Sequence, residues 1–408
     1  MALFNLVDKF VPLIDERFTA ESYATGVCGA NYSFDGANTI KIHSLPTVPM
    51  YDYDRHGTDT TRASRYGKAV DIQASIQKMT ITRDRSFSFI VDRADNIQSA
   101  AVIDANKTLS RQTDEVIIPE YDRYVFNKLA ATATASGHYS KLRDWGTNAS
   151  KSSAAGKRDA LAYDLFLGAA EFLGDHMVPD EGRVALCSYA MVTALKQDPG
   201  FVLASELSQD MIYKGVVGMV DGILIKRVPS NRLPVGCGAI ITHPYVSVAP
   251  EQLKDYKIHD NPPGINGWLC EGRIIYDCFV LDNKLDGIYY IGLDGVSRNM
   301  NVITVPNYKT AFSTTQSNTA TLVIQDYEVT DPISGSAFSY YYKIVDAGTA
   351  PVQPDYSGFS ATGWTAITGS MVDGLTGTDG QFVQVVQVLD GNVTGYGVTK
   401  LHLYDALS

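Results

Sequence analysis

One short stretch of this chain has residue types suited to cation chemistry. Asp52, Asp54, His56, Gly57 and Asp59 alternate through YDYDRHGTDT, and side-chain oxygens so spaced can converge on a divalent ion where a glycine lets the backbone turn. A calcium loop of the common kind closes with a bidentate glutamate, and none follows here. Asp52, Asp54 and Asp59 are therefore read first as a solvated loop tip and only second as metal ligands. Other chemical motifs are absent from the sequence: there is no Walker phosphate loop, no H-E-x-x-H and no G-x-S-x-G. Gly236-Cys237-Gly238 and Gly395-Tyr396-Gly397 lack the third glycine and the following helix of a dinucleotide loop. The seven histidines are scattered without a second ligand at metal spacing. Five cysteines, Cys28, Cys187, Cys237, Cys270 and Cys278, never form C-x-x-C, which favours buried free thiols over a disulfide framework or a zinc cluster. The expectation is a chain that is not an enzyme and needs no cofactor.

Composition narrows the class further. With 408 residues and 45% hydrophobic content the chain can bury more than one core, and a net charge of −11 disfavours broad gripping of nucleic-acid phosphates. No segment reaches the roughly 18 consecutive apolar residues of a membrane span, so no membrane partner is expected. The first residues, MALFNLVDKFVPLIDERF, are interrupted by Asp8 and Lys9 and read as an amphipathic arm built on Leu3, Leu6, Val7 and Phe10.

Two unusual elements follow the arm. From Ile40 to Asp92 the sequence has strand character around a polar tip at residues 56–68, and VDIQASIQKMTITRDRSFSFIVD alternates with period two. Ile72, Ala74 and Ile76 share one face; Met79, Ile81, Phe87, Phe89 and Val91 share the other. A lone two-stranded excursion is marginal in water, so it needs a neighbour, either its own domain or another subunit. The second reading makes Ile72, Ile76, Met79, Ile81, Arg83 and Arg85 candidate inter-subunit contacts.

Asp95 to Ala135 is then the longest helix-like run, expected to span about 60 Å, with Asp95 or Asn96 as its cap and one apolar stripe along it. Pro119 lies inside the pattern, and a helix should kink or restart there because proline lacks the amide hydrogen. Residues 136–157 are rich in Ser, Gly and Ala and read as a loop, before a helix from Ala160 to Leu173, a strand at Val184 to Cys187 and a helix capped by Ser188. After Ser297 the character changes: Arg298, Lys309, Lys343 and Lys400 are the basic residues left, and short strand-like runs recur between turn residues, as in a β-sandwich.

The order of these elements resembles the major capsid proteins of tailed bacteriophages, with the Hong Kong 97-like fold. The residues that carry the resemblance are the extended loop with its RDRSFSFIVDRADN exit, IIPEYDRYVFNKL at Ile117 to Leu129, VPDEGRVALCSYAMVTALKQDPGF, and the closing RIIYDCFVLDNKLDGIYYI. It implies an α+β capsid domain over 1–300: an N-terminal arm (1–39), an extended loop (40–92), a peripheral domain with a spine helix (93–182), an axial domain (183–245) and return strands (246–300). Residues 301–408 resemble the immunoglobulin-like modules appended to phage structural proteins, expected on the outer surface.

The resemblance further implies a homo-oligomer of hexamers and pentamers closing into an icosahedral shell, assembled in the host cytoplasm and found in the virion. It would enclose double-stranded DNA without sequence-specific binding, beside a separate scaffolding protein, a portal, and minor capsid or decoration proteins. Lys68 or Lys78 would be the donors of a cross-link, if one forms. The alternatives are an encapsulin-like compartment with an enzyme cargo and a surface-binding or adhesin protein acting through the C-terminal sandwich.

Overall fold

The computed structural model describes residues 22–24, 26–29, 39–45, 47–57, 61, 64–67, 71–72, 74–98, 105–142, 162–197, 218–293, 295–306 and 319–403. Strand β1 (Thr39–Ser44) runs antiparallel to β2 (Ser75–Thr80), with Ile40 opposite Met79 and Ser44 opposite Ser75. The alternation expected to run unbroken to Val91 divides at Ile81 and Thr82, beyond which β3 (Arg83–Asp92) belongs to a different sheet. A carboxylate causes the division. Thr82 donates its amide (2.8 Å) and its hydroxyl (2.9 Å) to Asp277 Oδ2, so a side chain satisfies the backbone where a neighbouring strand would otherwise do so.

The long helical run is described in two parts. Helix α1 (Arg93–Gln98) is capped by Asp92, whose Oδ1 accepts the Ala94 amide at 2.8 Å, so the cap lies before Asp95 and Asn96 instead of at either. Residues 99–104, Val102 among them, lie outside the described residues. The rod proper is α2 (Ala105–Gln112), a π-helical turn (Thr113–Ile117) and α3 (Ile118–Ala135), joined through residues that are all right-handed helical. At about 1.5 Å per residue this described part is about 45 Å long. Pro119 stands in the first turn of α3. It cannot donate to the Glu115 carbonyl, and the wider turn directly before it is where the chain absorbs that loss before α geometry restarts.

Residues 136–157 are not wholly loop, for β4 (Tyr139–Leu142) is a sheet strand. Next come α4 (Ala162–Asp175), β5 (Val184–Ser188) and α5 (Tyr189–Gln197), the last begun by Ser188, whose Oγ accepts the Met191 amide at 3.2 Å. Strands β6 (Met219–Val220) and β7 (Ile223–Val228) are joined by Asp221-Gly222, at φ 48° and 75°, the left-handed pair that a two-residue hairpin demands. The body ends with β8 (Cys237–Thr242), β9 (Ser247–Val248), β10 (Glu251–Asp260), β11 (Gly267–Tyr276), β12 (Phe279–Val280) and β13 (Ile288–Leu293).

A six-stranded mixed sheet, in the order β4-β13-β8-β5-β7-β6, is the centre of the body. Its two faces carry two cores. Ala185, Cys187, Ile225, Ile241 and Ile291 pack on α4 and α5, while Val184, Leu186, Ile240, Ile288 and Tyr290 pack on Val125, Phe126 and Leu129 of α3. This is why VALCS reads as continuous apolar sequence: every residue of β5 is buried, alternately on opposite sides. The end of the arm joins the α3 side through Ala24 and Val27. β10 and β11 extend away as a ribbon with β3 on the far edge of β11. Gly272 lets Phe87 and Tyr256 meet over the ribbon, since a Cβ there would stand 2.2 Å from Phe87.

The last strands are β14 (Arg298–Asn299), β15 (Val302–Pro306), β16 (Thr319–Ile324), β17 (Ser339–Val345), β18 (Thr365–Ile367), β19 (Met371–Thr376), β20 (Phe382–Leu389) and β21 (Asn392–Lys400). They make one sheet ordered β14-β21-β20-β17-β18 and another ordered β15-β16-β19. Val302, Leu322 and Leu375 from one sheet share a core with Tyr340, Val383 and Val385 from the other, which makes the unit a sandwich.

Candidate functional site

Among the described residues no group of His, Cys, Asp or Glu is arranged to hold a metal ion. Asp54 Oδ1 accepts the amides of His56 (3.2 Å) and Gly57 (2.8 Å), a turn closed by its own side chain. Asp52 is exposed, and Asp59 lies outside the described residues. Asp52 and Asp54 form no metal-binding group among the described residues.

The excursion is instead a surface of exposed apolar side chains. Leu45, Met50, Tyr51, Tyr53, Tyr66, Ile72 and Ile76 are all exposed, Met50 almost completely at 98%. Tyr53 and Tyr66 stack edge to face, 4.9 Å between centroids. Large apolar patches of this kind mark interaction surfaces. The six candidate contact residues fall into three groups. Ile72 (56%) and Ile76 (52%) are exposed. Met79 (1%) and Ile81 (6%) are buried in the chain's own core with Leu281, Ile40 and Phe279, so they hold the base of the excursion and are removed from the contact surface. Arg83 and Arg85 are engaged within the chain: Arg83 Nη2 lies 3.0 Å and Arg85 Nε 2.8 Å from Glu120 Oε1 on α3. Arg83 also lies over the Tyr124 ring at 5.1 Å.

The base of the excursion is thus bolted to the rod. Asp277, which receives Thr82, also accepts the Tyr124 hydroxyl at 2.8 Å and its neighbour's amide, Cys278 N, at 2.8 Å. Burial, then the bond to Asp277, raises the Tyr124 hydroxyl well above its ordinary range. Periodicity in the sequence holds no trace of this clamp, because Asp277 and Thr82 are far apart along the chain.

A second clamp joins the sandwich to the rod. Arg298, 2% exposed, reaches Glu328 Oε2 at 3.1 Å and Gln387 Oε1 at 3.1 Å. Asn127 Nδ2 of α3 donates to Glu328 Oε1 at 2.9 Å, and Arg123 Nε lies 3.7 Å from the same oxygen. The Tyr340 hydroxyl donates to the Glu328 carbonyl and accepts from Gln387. Burial pushes that hydroxyl up to about 12. It also raises the Asp326 carboxyl above its usual range, against the pull of Arg298 and Arg123. A sequence signal for the second clamp is Arg123, a charge placed inside an apolar helical stripe.

No known protein family matches the sequence, and no curated protein is similar to it. Solved structures are. A chain of Mycobacterium phage Che8 is 18% identical with a TM-score of 0.55, over 71% of this chain and 98% of that one. The capsid structure of the cyanophage P-SCSP1u gives 15% identity and a TM-score of 0.52, over 70% of this chain and 92% of that one. A chain in the asymmetric unit of the bacteriophage PhiM1 mature capsid gives 13% identity and 0.53, over 72% and 93%. At these identities the likeness is one of fold. It takes in nearly the whole of those chains and leaves part of this one outside.

Proposed function

We infer that this protein is the shell-forming subunit of a bacteriophage capsid. The observation that carries this reading is the fold shared with phage capsid chains along almost their full length. The finer reading is a tailed-phage major capsid protein of the Hong Kong 97-like kind, forming hexamers and pentamers around double-stranded DNA, with help from a scaffolding protein and a portal. The spine would be α2 and α3, the extended loop residues 40–92, and the axial domain the region around β5, α5 and β7. The sandwich after residue 300 would be an immunoglobulin-like module facing outward.

In this reading function comes from repetition instead of a pocket. Each excursion lays Ile72, Ile76 and its exposed tyrosines over an adjacent subunit, and many such contacts, each weak, close a stable shell. The charge of −11 suits a container that fills with DNA and later empties. Recombinant chain, alone and with its scaffold, should form closed particles in negative-stain microscopy. A chain that stays monomeric in native mass measurement under both conditions overturns the proposal.

A further inference from the structure

Beyond shell formation, the surface where the sandwich meets the rod has the build of a ligand site. Glu120, Arg123, Tyr124, Asn127, Lys128 and Ala131 lie at helical spacing on one face of α3, opposite the face that packs on the sheet. They border a cleft of about 1030 Å³ whose far wall is the sandwich, and Arg83 and Arg85 reach it from β3. We propose that this cleft binds an acidic, partly apolar peptide segment of a partner protein.

Charge is the first reason. Arg83, Arg85, Arg123 and Lys128 face the cleft against Glu120 and Glu328, an excess of cations in a chain whose balance is −11. Glu120 is shared between two guanidinium groups, so it neutralises one of them. Unmet hydrogen bonding is the second. Arg123, 7% exposed, has its Nη1 buried without a hydrogen bond and 3.9 Å from Asp326 Oδ2, beyond bonding range, while Arg83 Nε and Asn127 Oδ1 at the same wall are buried likewise.

The third reason selects a peptide over a small anion or a nucleic acid. Val116 and Ala131 from the rod and Val323, Val329, Pro332 and Met371 from the sandwich make an apolar shelf beside the cations. Val329 and Met371 are exposed. An inorganic phosphate would use the cations and leave the shelf wet. A duplex would meet Glu120, Glu328 and a sandwich poor in basic residues. Carboxylates alternating with apolar side chains use both features. Each wall comes from the same chain, so binding does not depend on the shell reading.

The test is fluorescence anisotropy with the full chain and a short labelled peptide alternating Glu with Leu. Its Lys-for-Glu counterpart, inorganic phosphate and a short DNA duplex are run beside it. The acidic peptide should bind saturably, more weakly as salt rises, and at least about tenfold more weakly to a chain carrying Arg85→Glu and Lys128→Glu. Both side chains are exposed, and Arg85→Gln with Lys128→Gln should give an intermediate loss. Lys343→Glu, on the sandwich away from the cleft, should bind as the parent does. The proposal is overturned if the parent chain does not bind the acidic peptide, if the basic peptide binds equally, if phosphate or duplex displaces the peptide, or if the double variant binds unchanged.

Discussion

Arg232 Nη1 lies 2.7 Å from Asp122 Oδ2, and Asp122 is completely buried. The same carboxylate takes the Ser22 hydroxyl at 2.6 Å and the amides of Tyr23 at 3.0 Å and Ala24 at 3.2 Å. One anion on the rod therefore holds both the end of the arm and the segment that follows β7. Asp122→Ala removes all of these bonds and should cost about 3 to 5 kcal/mol in urea unfolding. Limited proteolysis should cut the arm faster in the variant. A loss below about 1 kcal/mol would show that these groups are satisfied otherwise.

Met79 and Ile76 lie on opposite sides of β2 and should behave oppositely. Met79→Ala opens a cavity in the chain's own core and should cost about 2 to 5 kcal/mol in the monomer. Ile76→Ser should leave monomer stability within about 0.5 kcal/mol and reduce the yield of closed particles seen by light scattering. Equal effects of the two on the monomer would remove Ile76 from the contact surface.

Charged side chains span the junction between sandwich and rod, beside the apolar contacts of Val235 and Ile333. Glu328→Gln takes the shared anion from Arg123 and Arg298 and should weaken docking by about 3 to 5 kcal/mol. Calorimetry should then separate a C-terminal transition from that of the body. A single transition at the parental temperature would place the docking energy elsewhere.

Alkaline pH should destabilise the body through its buried thiols. Burial pushes Cys187 up to about 12 from an ordinary value of 9.0. Between those values the folded chain holds a proton that the unfolded chain has released, so stability is complete below about pH 9 and falls by about 1.4 kcal/mol per pH unit from this group as pH rises toward 12. Urea midpoints at pH 9 and pH 10.5 should differ less for Cys187→Ala than for the parent. An equal difference would exclude this thiol as a cause.

The sequence by itself determined the kinds and order of the elements with a strong local pattern, and β4, which has none, escaped it. Period-two alternation marked the excursion and β3, the apolar stripe and Pro119 marked the rod, and residues apolar on both sides marked β5, because each is a property of near neighbours along the chain. Tertiary structure alone decided where the alternating run changes sheets, since that depends on Asp277 reaching Thr82. It decided that Met79 and Ile81 face the chain's own core while Ile76 faces out, and that Asp122 serves Arg232 and the arm, and Glu328 the rod. Local pattern specifies which face of a strand is apolar, but not what covers it. A buried charge needs a partner that loop closure can bring from anywhere in the chain, so those pairings are settled only when the fold is complete.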